Sequence, residues 1–348
     1  MAYAIKKGSN YFNTVLYTGT DANNSVTGVG FSPNLLWLKS RTVAAGGNHV
    51  VYDTVRGGSS EIYTSLQNAE AANVGSLISL DSDGFTLGTV ATTNRYNASS
   101  NTYVAWCWNT DAATVENTDG TVTTQVSASP TAGFSIVGYT GSGNASSTYG
   151  HGLSQAPELI IIKNRSIVRD WSVVGSGLLG DGTRRLVFNN TDAITDDGFG
   201  LSGTTSTTFS FEHTNSIANN TDNFIAYCWH SVSGYSKIGS YTGNGSTDGP
   251  FVYTGFKPAF VLTKRLEAID VNNLGRWKIH DTARDTYNPM GKELEVETSN
   301  TEGASSRYFD FLSNGFKVRD TNTMYNGSNY TYIYMAFAEC PFKYATAR

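Results

Sequence analysis

The chain has 348 residues, a length that fits two or three domains at roughly 100–200 residues each. Charged residues are only 15% of it, the net charge is −5 and no Lys/Arg run is present, so the electrostatic footprint of a nucleic-acid-binding protein is missing. No apolar run approaches the ~18 residues of a membrane-spanning helix, and aromatic residues at 12% exclude a disordered composition.

Residues 1–14 hold no apolar stretch of the signal-peptide kind and read as a docking arm ahead of the first structural unit. That unit, 15–111, opens on Tyr17-Thr18-Gly19. Phe31-Ser32-Pro33 leads into the apolar run Leu35-Leu36-Trp37-Leu38, closed by Lys39 and Arg41. Then come Val50-Val51-Tyr52-Asp53, the hairpin-like Asp83-Gly84-Phe85, and a closing aromatic strand from Tyr103 to Trp108. Leu66–Ala72 could form a short helix. Residues 112–133 are polar and read as a linker, with a candidate Thr/Val-rich strand at 121–126.

The same order of features then recurs twice. In 134–233 it runs Tyr139-Thr140-Gly141, Ala156-Pro157, Leu159–Ile162 with Lys163 and Arg165, Trp171–Val174, and Phe224–Trp229. In 234–348 it runs Tyr241-Thr242-Gly243, Phe256-Lys257-Pro258, Phe260–Leu262 with Lys264 and Arg265, Trp277–His280, Asn314-Gly315-Phe316, and Tyr332–Phe337. A colinear match of this length indicates duplication.

The runs are short, rich in Val, Ile, Tyr, Phe and Trp, and bounded by Gly, Asn, Asp or Pro, which is the signature of strands. The closing strands are apolar at consecutive positions, so both of their faces should be covered, each strand being central in its sheet or lying against a neighbouring domain. The expected fold is all-β, with three tandem β-sandwich or jelly-roll-like domains. Trimerisation or stacking would protect their edges.

Few residues suggest chemistry. Asp81-Ser82-Asp83-Gly84 begins like a calcium loop, but Ala91-Thr92-Thr93 stand where a bidentate Glu is needed, so a hairpin turn is the better reading. His49, His151, His213, His230 and His280 form no zinc-ligand spacing and are expected at surface or turn positions. Asp53 and Asp281 follow equivalent strands, with Gly175 at that place in the second copy, and read as solvated strand ends rather than a glycosidase pair. Gly200-Leu201-Ser202-Gly203 lacks the spacing of a nucleophile elbow, and no phosphate-binding loop occurs. Cys107 and Cys228 share one repeat position and read as buried, inert thiols; Cys340 stands apart. No catalytic, cofactor-binding or metal residue is assigned, and no cofactor is expected. Tyr96, Tyr149, Trp171 and Tyr325, near Asn, Asp or Gly, could present rings to sugars or to proteins, or else pack internally.

The string from Asn117-Thr118-Asp119-Gly120 through Phe134-Ser135-Ile136-Val137 resembles a segment of many tailed-phage proteins, marine and cyanobacterial ones especially. So do His151-Gly152-Leu153, Ile161–Arg165, Tyr241–Gly245 and Tyr334–Glu339. Together they make the chain similar, over nearly its whole length, to tail-fibre-like structural proteins of bacteriophages. The resemblance implies a virion component made in the host cytoplasm, with other virion proteins as partners. Homo-oligomerisation, possibly as a trimer, and contact with a host surface glycan are further expectations. A tail fibre or tail-associated adhesin leads. A head-decoration or head-fibre protein is the alternative, and a polysaccharide-cutting tailspike is a weaker one.

Overall fold

The computed structural model describes residues 5, 7–43, 46–58, 60–72, 76–89, 96–180, 183–198, 200–211, 217–268 and 275–338. It is all-β. Repeat 1 holds β1 (Phe12–Thr18), β2 (Asn24–Thr27), β3 (Leu35–Ser40), β4 (Val50–Asp53), β5 (Ser60–Tyr63), β6 (Ala71–Ala72), β7 (Leu77–Asp81), β8 (Gly84–Leu87) and β9 (Thr102–Trp108). Two strands follow, β10 (Val115–Asn117) and β11 (Thr124–Ser129). Repeat 2 holds β12 (Phe134–Thr140), β13 (Thr148–Gly150), β14 (Leu159–Asn164), β15 (Ser172–Val174), β16 (Arg184–Val187), β17 (Thr195–Asp196), β18 (Leu201–Thr204), β19 (Thr208–Phe211) and β20 (Asn223–Trp229). Repeat 3 holds β21 (Ser236–Thr242), β22 (Phe251–Tyr253), β23 (Pro258–Arg265), β24 (Lys278–Asp281), β25 (Met290–Glu295), β26 (Gly303–Leu312), β27 (Gly315–Val318) and β28 (Thr331–Ala338).

Each repeat is a two-sheet sandwich of one topology. The large sheet of repeat 1 has the order β1-β9-β3-β4-β5-β6, and repeat 2 repeats it as β12-β20-β14-β15-β16-β17. The small sheet is β2-β8-β7, then β13-β19-β18. In repeat 3 the long β26 pairs with both β25 and β27, joining the two sheets into one. The stretch 112–133, expected as a linker, adds β11 and then β10 to the free edge of β12. The corresponding strands β1 and β21 stay at sheet edges. In the expected docking arm, the described Ile5 and Phe12 are buried in the core, and Phe12 already belongs to β1. The short helix considered for Leu66–Ala72 does not form: a turn leads instead into β6.

The closing strands explain the architecture. In β9, Val104, Trp106 and Trp108 face a core common to all three repeats, while Ala105 and Cys107 face the sandwich of repeat 1. In β20, Ile225, Tyr227 and Trp229 face the common core, and Phe224, Ala226 and Cys228 the sandwich of repeat 2. In β28, Ile333, Met335 and Phe337 alternate in the same way with Tyr332, Tyr334 and Ala336. Period-two alternation on a strand covered on both sides gives the consecutive apolar run seen in the sequence. Trp108 meets Trp229 at 6.3 Å and Phe337 at 5.7 Å between ring centroids, so equivalent residues from the three repeats converge at the centre.

The three repeats close a ring. Strand register makes His49, Trp171 and Trp277 equivalent, each preceding the residue paired with Leu38, Ile162 or Thr263. This moves the sequence-derived alignment of Val50 with Trp171 and Trp277 by one residue. Trp171 Nε1 donates to the carbonyl of Tyr63 in repeat 1 at 2.9 Å, and Trp277 Nε1 to that of Val187 in repeat 2 at 2.8 Å. His49 Nε2 meets the carbonyl of Glu295 in repeat 3 at 2.9 Å. Tyr63, Val187 and Glu295 are themselves equivalent, each ending the strand that pairs with β4, β15 or β24. A second bond recurs at each seam. Glu70 N donates to Arg165 O at 3.0 Å, Ile194 N to Leu266 O at 2.8 Å, and Glu302 N to Arg41 O at 2.9 Å.

Candidate functional site

Three of the ionisable residues singled out in the sequence, Asp53, Asp281 and His49, lie inside these seams. Asp53 and Asp281 are not solvated strand ends; both are buried. Asp53 binds Arg56 Nε at 2.6 Å and accepts from Tyr227 Oη at 2.7 Å across the first seam, between repeats 1 and 2. Asp281 binds Arg284 Nε at 2.5 Å and accepts from Trp106 Nε1 at 3.0 Å across the third seam, between repeats 3 and 1. Each arginine continues to a glutamate, Glu70 or Glu302, which takes a two-pronged bond from Arg165 or Arg41 of the adjoining repeat. A buried carboxylate keeps its charge only when paired, and the i,i+3 turn after the strand brings the arginine to it. The second seam, between repeats 2 and 3, lacks the whole network. Gly175, Leu178, Ile194, Leu266 and Met335 take the places of Asp53, Arg56, Glu70, Arg165 and Tyr227.

Three equivalent lysines are buried beside the seams, and two of them bond across to the neighbouring repeat. Lys39 Nζ donates to the carbonyls of Gly47 at 2.6 Å and, in repeat 3, of Asn300 at 2.8 Å and Ser299 at 3.2 Å. Lys163 Nζ reaches Gln67 O of repeat 1 at 3.0 Å. Lys264 Nζ bonds to Gly275 O. Burial pushes Lys39 and Lys264 down to about 7, and Lys163 to about 8.

The other sequence candidates are taken up by structural contacts. Asp81 accepts from Ser79 Oγ at 2.6 Å and Thr86 Oγ1 at 2.7 Å, while Asp83 accepts from the amides of Gly30 and Gly28 at 2.6 and 3.2 Å. The segment is a β7–β8 hairpin. At Gly84 a side chain would come within 2.0 Å of Val26 O, and at the matching Gly315 within 2.1 Å of Val252 O. His49, His151, His230 and His280 are buried, not at the surface; His213 lies outside the described residues. A neutral imidazole has one donor and one acceptor, so it can be buried where both are met. His49 meets this condition. Its Nδ1 accepts from Trp37 Nε1 at 3.0 Å, which leaves the proton on Nε2 for the Glu295 carbonyl. Cys107 and Cys228 are free, buried thiols, and burial raises both; Cys340 lies outside the described residues. Tyr96, Tyr149, Trp171 and Tyr325 are all buried, so none offers a ring to a ligand. Among the described residues no cluster of three or more His, Cys, Asp or Glu could hold a metal.

What remains for function is the end of each sheet away from the central convergence, where the Tyr-Thr-Gly turns lie. Tyr17 Oη donates to Tyr96 O at 2.8 Å, Tyr139 Oη to Ala218 O at 2.9 Å, and Tyr241 Oη to Tyr325 O at 2.9 Å. The next residue in each case is a buried asparagine whose amide ties down the turn. Asn97 Nδ2 bonds to Ala22 O at 2.6 Å, Asn219 Nδ2 to Asn144 O at 2.9 Å, and Asn326 Nδ2 to Ser246 O at 2.6 Å. The glycine is obligatory because the chain passes too close for a side chain: a Cβ would lie 2.1 Å from Ala98 O at Gly19 and 1.8 Å from Asn220 O at Gly141. The frame recurs, while the loop residues it carries, 20–23, 142–147 and 244–249, differ. A rigid frame bearing variable loops suits recognition.

An open cleft of about 320 Å³ lies beside the repeat-2 loop, at the first seam. Thr123 and Gln125 wall it from the β11 side, Thr140 and Asn223 from the end of β12 and β20, and Arg165 from the seam. Val55 and Gly138 meet at its floor, where a side chain on Gly138 would come within 2.8 Å of Val55 Cγ1. The sequence held no signal for this cleft, because it joins residues of two repeats to the added strand.

A family model described as a domain of unknown function, DUF7483, matches residues 7–341 and so spans all three repeats. No curated protein matches the chain. No solved structure matches it.

Proposed function

We propose that this chain, which belongs to the DUF7483 family, is a structural protein of a bacteriophage particle, a tail-fibre or tail-associated adhesin that carries its contact loops on a closed three-repeat ring. The observation that carries the reading is how the repeats use their ionisable groups. Lys39, Lys163 and the Asp–Arg–Glu–Arg networks bind one repeat to the next at the first and third seams, and Trp277 does so at the second. Duplication therefore preserved an assembly interface, and the variation between copies falls in the framed loops. Such a division suits a scaffold that presents a surface. The resemblance of 117–137 and 161–165 to tailed-phage structural proteins supports the same reading.

Placing the two interior carboxylates most reminiscent of a glycosidase pair at different seams, each locked to an arginine, weighs against the tailspike alternative. Glycosidase carboxylates must face one substrate across about 5–9 Å. The test is labelled antibody on intact particles, with co-sedimentation of the purified chain on host cells. Label at the tail together with cell binding is the expected outcome. Label confined to capsids, with no cell binding, would replace the adhesin by a head-decoration protein.

A further inference from the structure

We propose that the cleft at the first seam is a binding site for a neutral, hydroxyl-rich saccharide unit. The proposal rests on the adhesin reading and names its ligand class and the place of contact.

Two features make this cleft, and among the described residues repeat 2 alone has both. The first is the wall. Only repeat 2 carries β11 along the edge of its first strand, which raises Thr123 and Gln125 beside the seam. The second is the floor. Register makes Gly138 equivalent to Leu16 and Ser240, through their pairing with Ile225, Val104 and Ile333. Leu16 places a 41% exposed side chain at that position, whereas at Gly138 the chain is bare and Val55 of repeat 1 closes in, 2.8 Å from where a Cβ would lie. Both features also meet repeat 1, Gly138 by admitting Val55 and β11 through Ser127, which accepts from Asn34 Nδ2 at 3.4 Å, so the cleft opens beside contacts that hold the seam.

The lining defines the ligand. Thr123, Gln125, Thr140 and Asn223 each combine donor and acceptor, the property a sugar hydroxyl also has. Thr140 Oγ1 donates to Asn223 Oδ1 at 2.8 Å, so these two are held ready. The charge of Arg165 is already matched by Glu70, at 2.8 and 2.9 Å, so the cleft offers no uncompensated charge to an ionic ligand. The same bonds fix the guanidinium plane, a pre-organisation that lowers the cost of binding. Val55 and the bare backbone of Gly138 give a small apolar floor for the C–H face of a ring. The volume of about 320 Å³ equals roughly ten waters at about 30 Å³ each, enough for a monosaccharide unit. No exposed aromatic ring lines the site, so a single contact is weak and adhesion depends on many copies per particle.

The test is saturation-transfer NMR on the full chain with glucose, galactose, mannose, N-acetylglucosamine and glucuronate at millimolar concentration, alongside host-cell sedimentation. Variants are Gln125→Ala with Asn223→Ala, which removes polar partners from exposed positions, and Thr123→Trp, which fills the cleft from β11. At least one neutral sugar should show transfer, with affinity falling roughly tenfold in the double variant and transfer abolished by Thr123→Trp. No transfer from any sugar, preference for glucuronate, or transfer unaffected by both variants overturns the site. Wild-type cell binding by both variants, with sugar transfer lost, separates the outcomes: the cleft then binds sugar, but adhesion runs through other loops. Sugar binding at the cleft without any cell binding keeps the site and rejects the adhesin.

Discussion

His49 and Trp277 hold the same place in the ring and donate to equivalent carbonyls, but only His49 can take up a proton. It stands at the third seam, which joins the first repeat to the last and so closes the ring. Burial, the Lys39 charge and the Arg284 charge all hold its imidazole well below the usual histidine range, against the carbonyl bond to Glu295. Protonation would put a hydrogen on Nδ1, where Trp37 now donates.

The sign of the pH dependence follows. The folded histidine has a depressed pKa, so below about 6.5 the unfolded chain binds a proton that the folded one refuses, and stability falls as pH falls. His280 and His151 are lowered by burial too and act in the same direction. The lysines extend the trend. Lys39 sits at about 7 folded against 10.5 unfolded, so stability still rises with pH between those values. Burial raises the Glu297 carboxyl, which opposes the histidines below neutral pH, so the melting temperature should climb from about pH 7 to about pH 9. His49→Gln keeps one donor and one acceptor and should flatten the acid limb, by up to about 1.4 kcal/mol per pH unit. A melting temperature that falls between pH 7 and 9, or an acid limb unchanged in His49→Gln, would contradict this account.

The apolar second seam shows how to rebuild the first. Asp53→Ala takes from Arg56 its shortest ion pair, leaves Tyr227 Oη without its acceptor, and should cost about 3–5 kcal/mol in urea unfolding. Replacing the whole set by its second-seam counterparts is a different matter. Asp53→Gly, Arg56→Leu, Glu70→Ile, Arg165→Leu and Tyr227→Met together remove both charges and partners, and should return stability to within about 2 kcal/mol of wild type. A grafted chain as unstable as Asp53→Ala would mean that the seams differ in more than these five residues.

The repeats, their strands and the two-faced closing strands were legible because period-two patterning and turn residues are local. Cys107 and Cys228 were placed correctly for the same reason, since sharing a face with Ala105 and Ala226 needs only strand periodicity. The seams were not legible. Aligning Val50 with Trp171 hid the equivalence of His49 to the two tryptophans, and a one-residue slip exchanges the faces of a strand. Asp53 reads as solvated until Arg56 and Tyr227 are seen to close over it, one of them 174 residues away. The loop aromatics misled because Gly and Asn beside a ring mark a turn equally well when the ring points inward. Trp171 is one of the three donors that close the ring.

The Tyr–Asn frames should govern the loops they carry. Asn219→Ala removes the bond to Asn144 O and leaves a buried group unmet, at a cost of about 1–3 kcal/mol. Asn97→Ala and Asn326→Ala should behave alike, since the same bonds recur. Amide exchange should accelerate in 142–147 for Asn219→Ala and leave 20–23 and 244–249 unaffected. Exchange that rises in all three loops at once would show the frames to be coupled, contrary to their separate hydrogen bonds.

The closed ring also fixes what the chain should do in solution. Every repeat has both a repeat it leans on and a repeat that leans on it, so the three seams are completed inside one chain. Light scattering should give a mass of 37.5 kDa for the isolated protein. Truncation after residue 233 removes repeat 3 and uncovers two half-seams, one with Trp106, Lys39 and Arg41, the other with Leu178, Val187 and Ile194. Such exposed apolar surface drives association. The truncated chain should self-associate, and adding residues 234–348 in trans should restore a species of full-length mass. A truncated chain that stays monomeric and keeps the full-length melting temperature would show that the seams contribute little, and that the repeats stand as independent domains.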